Sequence, residues 1–396
     1  MLRPHTAVPP LPHARWWRAG VVQAVSPPGV IDLEPGYLEP GLLPVDEVRP
    51  LYAEALAEFG PAALGYGANA GAEPLRALLA ARHGCTAEEV MVTAGTSQAL
   101  ALLCTVLGRP GRSVLVERTC YDLGRKIMTD HGLRLREVDA DGEGVRPEAL
   151  DRSLSLFSSR GDEVAFVYLT PTFHNPTGTV AGEARRRELL AVAARHGVPI
   201  VEDDAYAELG LDRIALPPSL AALAGRRGVI RLGSFAKTLG PGLRLGWLEA
   251  EPDLIRTLTG RGQLVSGGAL NHLTSLAVTM LMGDGRYDRR LSWLREGLRL
   301  RRDTLVAALR VGLGESVTVD CPAGGFFLWL DFGPRRGEAS LLAAAGRAGV
   351  AVAPGSRYGS AAGTHLRLAY SLNSPDRLAE AAARLVAAWR NEETPR

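Results

Sequence analysis

Seven short β-rich runs recur between residues 90 and 250, and the stretches between them carry apolar residues at helical spacing. The runs are Val90–Thr93, Ser113–Glu117, Leu133–Asp139, Val164–Leu169, Pro199–Asp203, Val229–Gly233 and Leu245–Ala250, with helical segments such as Ser97–Leu107 and Glu183–His196 between them. Strands alternating with helices fold most readily as a mostly parallel sheet with helices on both faces. The pattern therefore predicts an α/β domain with a seven-stranded sheet over 50–282.

Past Gly283 the texture changes. A long Arg-rich amphipathic stretch over Arg286–Arg310 precedes a strand-like Gly325–Phe332 and a helical Asp376–Arg390, which predicts a smaller α+β domain over 283–396. Residues 1–49 form an N-terminal segment expected to pack on that small domain, because its first part is too short and too proline-rich to fold alone. Two or three domains also suit the length, since single cores stop growing beyond roughly 250–300 residues.

Composition removes several classes of function. A formal net charge of +2 supplies no field for nucleic acid. Cys85, Cys104, Cys120 and Cys321 show neither metal-ligand nor disulfide spacing, so no metal and a reducing cytoplasm are expected. Pro4, Pro9, Pro10 and Pro12 interrupt any apolar leader, and no run of about 18 apolar residues suggests a membrane span.

Of the 45 lysines and arginines, only Lys126 and Lys237 are lysine. Arginine stays protonated, whereas a lysine amine can lose its proton and condense with an aldehyde. Lys126 lies in a helical stretch with no motif around it. Lys237 lies in Gly233-Ser234-Phe235-Ala236-Lys237-Thr238-Leu239-Gly240-Pro241-Gly242-Leu243-Arg244, after a strand. Two further loops follow strands: Thr170-Pro171-Thr172-Phe173-His174-Asn175-Pro176-Thr177-Gly178, and Val201-Glu202-Asp203-Asp204-Ala205-Tyr206. In a parallel sheet, strand ends form the ligand crevice, so these three loops should converge there.

With these loops in order, the chain resembles the fold-type-I pyridoxal-phosphate enzymes, specifically the class I/II aminotransferases and their 2-aminoadipate and kynurenine aminotransferase branch. Ile31–Pro44, Tyr66-Gly67, Ala94–Gln98, Gly324–Trp329, Pro354-Gly355 and Leu366-Arg367-Leu368 extend the resemblance along nearly the whole chain. It implies a pyridoxal 5′-phosphate enzyme that moves an amino group between an L-amino acid and a 2-oxo acid in a ping-pong reaction. Lys237 would hold the cofactor as a Schiff base and Asp203 would pair with the pyridine nitrogen. Asp204 is the alternative mate, but the family spacing to Tyr206 selects Asp203.

By the same resemblance, Tyr206 and Asn175 would bond the ring hydroxyl oxygen and Tyr121 would stack on the ring. Gly95, Thr96 and Ser97 at a helix N-terminus, with Ser234 and Arg244, would receive the phosphate. Tyr66 would reach the phosphate of a second subunit, implying a homodimer with shared sites. Arg367 would clamp the substrate α-carboxylate, with Gly36 approaching it and Tyr37 nearby.

The sequence departs from the family pattern near the substrate. Ala236 stands where a serine is usual, Glu34, Tyr37 and Glu39 make a lid-like segment bulkier and more acidic, and Phe173-His174 precede Asn175. These departures could select a polar or cationic substrate side chain. Elimination, cyclisation or oxidation on the same cofactor shell is the alternative chemistry. A ligand-sensing domain is less suited, because the residues before the first family motif are too few for a DNA reader. Gly65-Tyr66-Gly67-Ala68-Asn69-Ala70-Gly71 has the wrong glycine spacing for a dinucleotide site.

Overall fold

The computed structural model describes residues 27–334, 336–359 and 364–391. All seven β-rich runs become strands of one sheet: β1 (Val90–Thr93), β2 (Ser113–Glu117), β3 (Arg134–Val138), β4 (Val164–Leu169), β5 (Ile200–Asp203), β6 (Val229–Ser234) and β7 (Gly246–Glu249). Their order across the sheet is β1-β7-β6-β5-β4-β2-β3. Only β7 is antiparallel to its neighbours, inserted between β1 and β6, so the other six run in one direction. Their C-terminal ends, and the loops bearing Gly95, Tyr121, Asn175, Asp203 and Lys237, therefore share one edge.

Helices cover both faces, as continuous burial of β1, β2, β5 and β7 requires. The helix Thr96–Val106 seals one face with Ala99, Leu100 and Leu103, packed among Val114, Phe166 and Ile230. On the other, the helix Glu183–His196 contributes Leu189, Val192 and Ala193 and stops at Gly197, whose φ of 64° suits glycine.

A second sheet, β8 (Thr318–Val319), β9 (Phe327–Asp331), β10 (Ala353–Pro354) and β11 (His365–Ala369), is antiparallel in the order β8-β9-β11-β10. The helices Arg286–Leu313 and Pro375–Asn391 pack beside it. Arg286–Leu313 runs three residues beyond the sequence pattern and crosses from one core to the other. Its Tyr287 and Leu291 pack with the large sheet's layer, while Leu294, Leu298 and Leu305 pack with the second. Burying one side chain of each type contributes about 1.5–3 kcal/mol, so this single helix ties the two cores together.

The segment before residue 45 joins the second core. Ile31–Asp32 pairs in parallel with Val350–Ala351, and Leu33, Leu38 and Leu42 are buried there. Residues 1–26 lie outside the described residues. The same core reaches across to Phe173 and Tyr206, on loops of the large sheet. The crevice at the sheet edge thus has walls from both cores and from the N-terminal segment.

Candidate active site

Five strands deliver a polar group to that crevice at or just past their C-terminal ends: Thr96 after β1, Tyr121 after β2, Asn175 after β4, Asp203 on β5 and Lys237 after β6. β5 ends on Asp203, which is 7% exposed, and its Oδ2 accepts a hydrogen bond from the Tyr168 hydroxyl on β4. Burial pushes the Asp203 carboxyl above its usual range, and the Tyr168 bond opposes that push. The adjacent Asp204 is turned away, its Oδ2 accepting from Arg231 Nε at 2.7 Å. Tyr206, on the turn after β5, is buried and packs edge-on against Phe326 and Phe327 at 5.4 and 5.8 Å between ring centres.

Lys237 sits on a single helical turn, Phe235–Lys237, after β6. Its Nζ donates to the Gly36 carbonyl at 2.9 Å and lies 5.5 Å from the Tyr206 ring centre. Burial, helped by repulsion from Arg367 and opposed by Asp203, lowers the amine from its ordinary 10.5 to about 8. Lys126, by contrast, is 67% exposed and pairs with Asp130 at 3.0 Å.

Arg367 comes from the middle of β11, opposite Trp329 of β9 and Ala353 of β10. It is 5% exposed, with its guanidinium carbon 4.0 Å from the Phe327 ring centre and 4.7 Å from that of Tyr358. Its Nη1 donates to Asn175 Oδ1 at 2.8 Å and its Nη2 to the Glu34 carbonyl. Among the described residues Nε has no hydrogen-bond partner, and no carboxylate forms an ion pair with the group. Gly36 has no space for a side chain: a Cβ there would stand 2.5 Å from Phe327 Cζ.

The helix Thr96–Val106 starts at Gly95, whose φ is 83° and which has no side chain to cap the first N–H groups. Arg244, itself at φ 48°, extends over that end, its Nη2 donating to the Ala94 carbonyl at 2.9 Å. Ser234 closes β6 beside it, because Gly246 pairs with both Ser234 and Thr93. Ser234 Oγ accepts from the Ala236 N–H at 3.1 Å, and Ser97 is exposed. This corner offers oriented donors and one guanidinium, the chemistry of an anion site.

A cavity of about 420 Å³ joins Gly36, Tyr37, Tyr121, Asn175, Tyr206, Lys237 and Arg367. A narrower recess continues to Thr96, Thr170 and Asp203. Tyr66 is not brought to it, being 89% exposed on the surface. Phe173 and His174 are not substrate-facing either. Phe173 is buried in the second core, and His174 is turned to Glu117 at 3.1 Å. Glu39 pairs with Arg301, while Glu34 and Tyr37 do line the cavity.

Tyr168, Asp122 and the pair Arg357-Tyr358 escaped the sequence reading, while Phe327 entered it only inside Gly324–Trp329 and with no role. Arg357 and Tyr358 stand two and three residues past Pro354-Gly355, a motif already singled out, and could have been found by reading three residues further.

Residues 34–385 match the family model described as aminotransferase class I and II. A 2-aminoadipate transaminase of Thermus thermophilus is 34% identical over 90% of the chain and 89% of its own length. An uncharacterized HTH-type transcriptional regulator of Bacillus subtilis, YisV, is 30% identical over 93% of the chain and 78% of its own length. Among solved structures, Pyrococcus horikoshii kynurenine aminotransferase, in complex with PMP, superposes with a TM-score of 0.86 at 29% identity, over 93% of the chain and 92% of that structure.

Proposed function

We propose, from the premise that the chain belongs to the class I and II aminotransferases and works with pyridoxal 5′-phosphate, that Lys237 is the residue to which the cofactor is joined. The observation that carries this is the Lys237 amine, held in the cavity between Gly36, Asp203 and Arg367 and depressed to about 8. The donor set fits the group. Uncapped N–H groups at Thr96–Ser97, with Ser234 and Arg244, suit a phosphate, and a buried carboxylate suits a protonated pyridine nitrogen.

When bound, the cofactor supplies an aldehyde that accepts the amino group and a ring that withdraws electrons from the α-carbon. Around it, Asp203 holds the ring-nitrogen proton, and Tyr168 keeps that carboxylate oriented. Asn175 and Tyr206 would donate to the ring hydroxyl oxygen, and Tyr121, which lines the cavity, would cover the ring. Arg367 fixes the substrate α-carboxylate with its two-pronged fork, and Gly36 keeps that approach open. Lys237, its amine freed when the substrate's amino group takes its place on the aldehyde carbon, would carry the α-proton at Nζ to that carbon, a transfer favoured by an amine whose pKa is near working pH. Phe326, Phe327 and Tyr358 exclude water from this space.

The reaction runs in two halves, a donor amino acid leaving as its 2-oxo acid before a second 2-oxo acid leaves as an amino acid. We assign residues 1–49 as an N-terminal segment packing on the small domain, 50–282 as the cofactor-binding domain and 283–396 as the small, substrate-clamping domain, a division supported by the pairing of Ile31–Asp32 with Val350–Ala351. We also propose a cytoplasmic homodimer serving amino-acid biosynthesis. Supporting the dimer, Leu64 at the end of the turn Gly60–Leu64, Tyr66 just after it and Val265 on the neighbouring helix Gly262–Gly267 expose 74, 89 and 61% of their surface, and in this reading Tyr66 serves a second copy's phosphate. Light scattering should give twice the mass of one chain.

The test of function is a single-turnover screen of the loaded protein against amino acids. Each consumed donor should yield one equivalent of its 2-oxo acid, and a second 2-oxo acid should restore the starting spectrum. Ammonia release with no need for an oxo acid would refute transfer.

A further inference from the structure

Among the described residues, three acids and three bases line the main cavity: Asp32, Glu34 and Asp122 against Lys237, Arg357 and Arg367. The mechanism commits Lys237 to the cofactor and Arg367 to the α-carboxylate. That leaves Arg357 facing three carboxylates, an excess of negative charge in the space where the substrate side chain must lie.

The geometry of these groups is specific. Arg367, 5% exposed and with its Nε unpartnered, fixes the α-carboxylate end of any substrate. Glu34 is built into the same contact, since its carbonyl accepts from Arg367 while its carboxylate pairs with Arg357 at 3.2 Å. Arg357 lies on the helical turn Gly355–Tyr358 that follows β10 and neighbours Tyr358, which stacks on Arg367. Both partners of the Glu34–Arg357 pair are partly exposed, at 35 and 40%, so the pair is easily exchanged for another. Asp122, first residue of the helix Asp122–Asp130, has no ion pair or hydrogen-bond partner among the described residues. Asp32 steadies the segment, its Oδ1 accepting the Glu34 N–H at 2.9 Å.

We propose, resting on the aminotransferase reading above, that the preferred amino donor carries a cationic group, an ammonium or a guanidinium, at the end of its side chain, received by Glu34 and Asp122. The guanidinium of Arg357 marks the place on Glu34 that the substrate's cation takes, and Arg357 swings toward solvent as it enters. A dicarboxylic donor is disfavoured, because its distal carboxylate would meet Asp122 and Glu34 to reach Arg357.

The test compares kcat/KM for single turnover of the loaded enzyme with lysine, ornithine and arginine, with norleucine as the uncharged isostere, and with glutamate. The basic donors should exceed norleucine by about tenfold or more, a factor within reach of one partly desolvated charge pair. Glu34→Gln and Asp122→Asn should each lower the basic-to-norleucine ratio several-fold, mainly through KM. Arg357→Gln should raise it, because it removes a competing cation.

Norleucine matching the basic donors would overturn the proposal while leaving the aminotransferase reading intact. So would glutamate as the best donor with Arg357→Gln abolishing that preference. Failure of every amino acid to react with cofactor-loaded enzyme would instead overturn the reading on which the proposal rests.

Discussion

Capture of the cofactor by the empty protein should follow the ionisation of Lys237, because only the neutral amine attacks an aldehyde. The amine stands at about 8 rather than 10.5. At pH 7 its neutral fraction is then about 300-fold larger than that of an unperturbed lysine, which is the shift expressed as a population ratio. The rate constant for pyridoxal-phosphate uptake, read by absorbance in stopped flow, should rise with pH to a midpoint near 8 and then level off. Replacing Arg367 by glutamine removes the repulsion that helps depress the amine, so the midpoint should move up, with about tenfold slower uptake at pH 7 for each unit moved. Asp203→Asn removes the opposing attraction and should move the midpoint down. A wild-type rate still climbing at pH 10, or both variants shifting the same way, would refute the reasoning. Linkage has a matching sign. The unfolded chain binds the extra proton between about pH 8 and 10.5, so the Lys237 contribution to cofactor-free stability should rise with pH across that window.

Other expectations concern single contacts. Arg367→Ala should lower kcat/KM for amino acids by 10²-fold or more, on the order of 3 kcal/mol for a buried bidentate charge contact, with cofactor still bound; unchanged kcat/KM would count against the clamp. Gly36→Ala places a Cβ 2.5 Å from Phe327 Cζ, and should cost about 1–3 kcal/mol in denaturant unfolding as well as weakening substrate. Tyr168→Phe leaves Asp203 without its hydroxyl donor and should raise the carboxyl's pKa further, seen as cofactor-spectrum titration displaced to higher pH.

The sheet was legible because its strands carry β-rich residues that helical spacing does not interrupt, and helices separate most of them. Edges were less so: the helix from Arg286 runs to Leu313 because its apolar face continues into the second core. Lys237, Asp203 and Asn175 could be named because each lies in a dense local motif at or just past a strand's end, and Arg367 because of the Leu366-Arg367-Leu368 motif within its strand. Choosing Asp203 over Asp204 required family spacing. The structure gives the physical reason, since successive residues at a strand end point to opposite faces and Asp204 meets Arg231.

Contacts across long separations were invisible. Glu34 and Arg357 meet only through the fold, and Tyr168 reaches Asp203 from the neighbouring strand. Phe173 and His174 misled because polarity next to Asn175 suggested a pocket wall. The chain at Phe173 adopts φ 51°, and both side chains are buried away from the cavity.

The central claim is that the ε-amine of Lys237 carries the cofactor. Borohydride reduction of the pyridoxal-phosphate-loaded protein, followed by peptide mapping, tests it with few rival sites, since Lys126 is the only other lysine. The account predicts one phosphopyridoxyl group per chain, on the peptide containing Lys237, and none there in Lys237→Ala. Label on Lys126, or an unlabelled Lys237 peptide in protein that binds the cofactor, would contradict it.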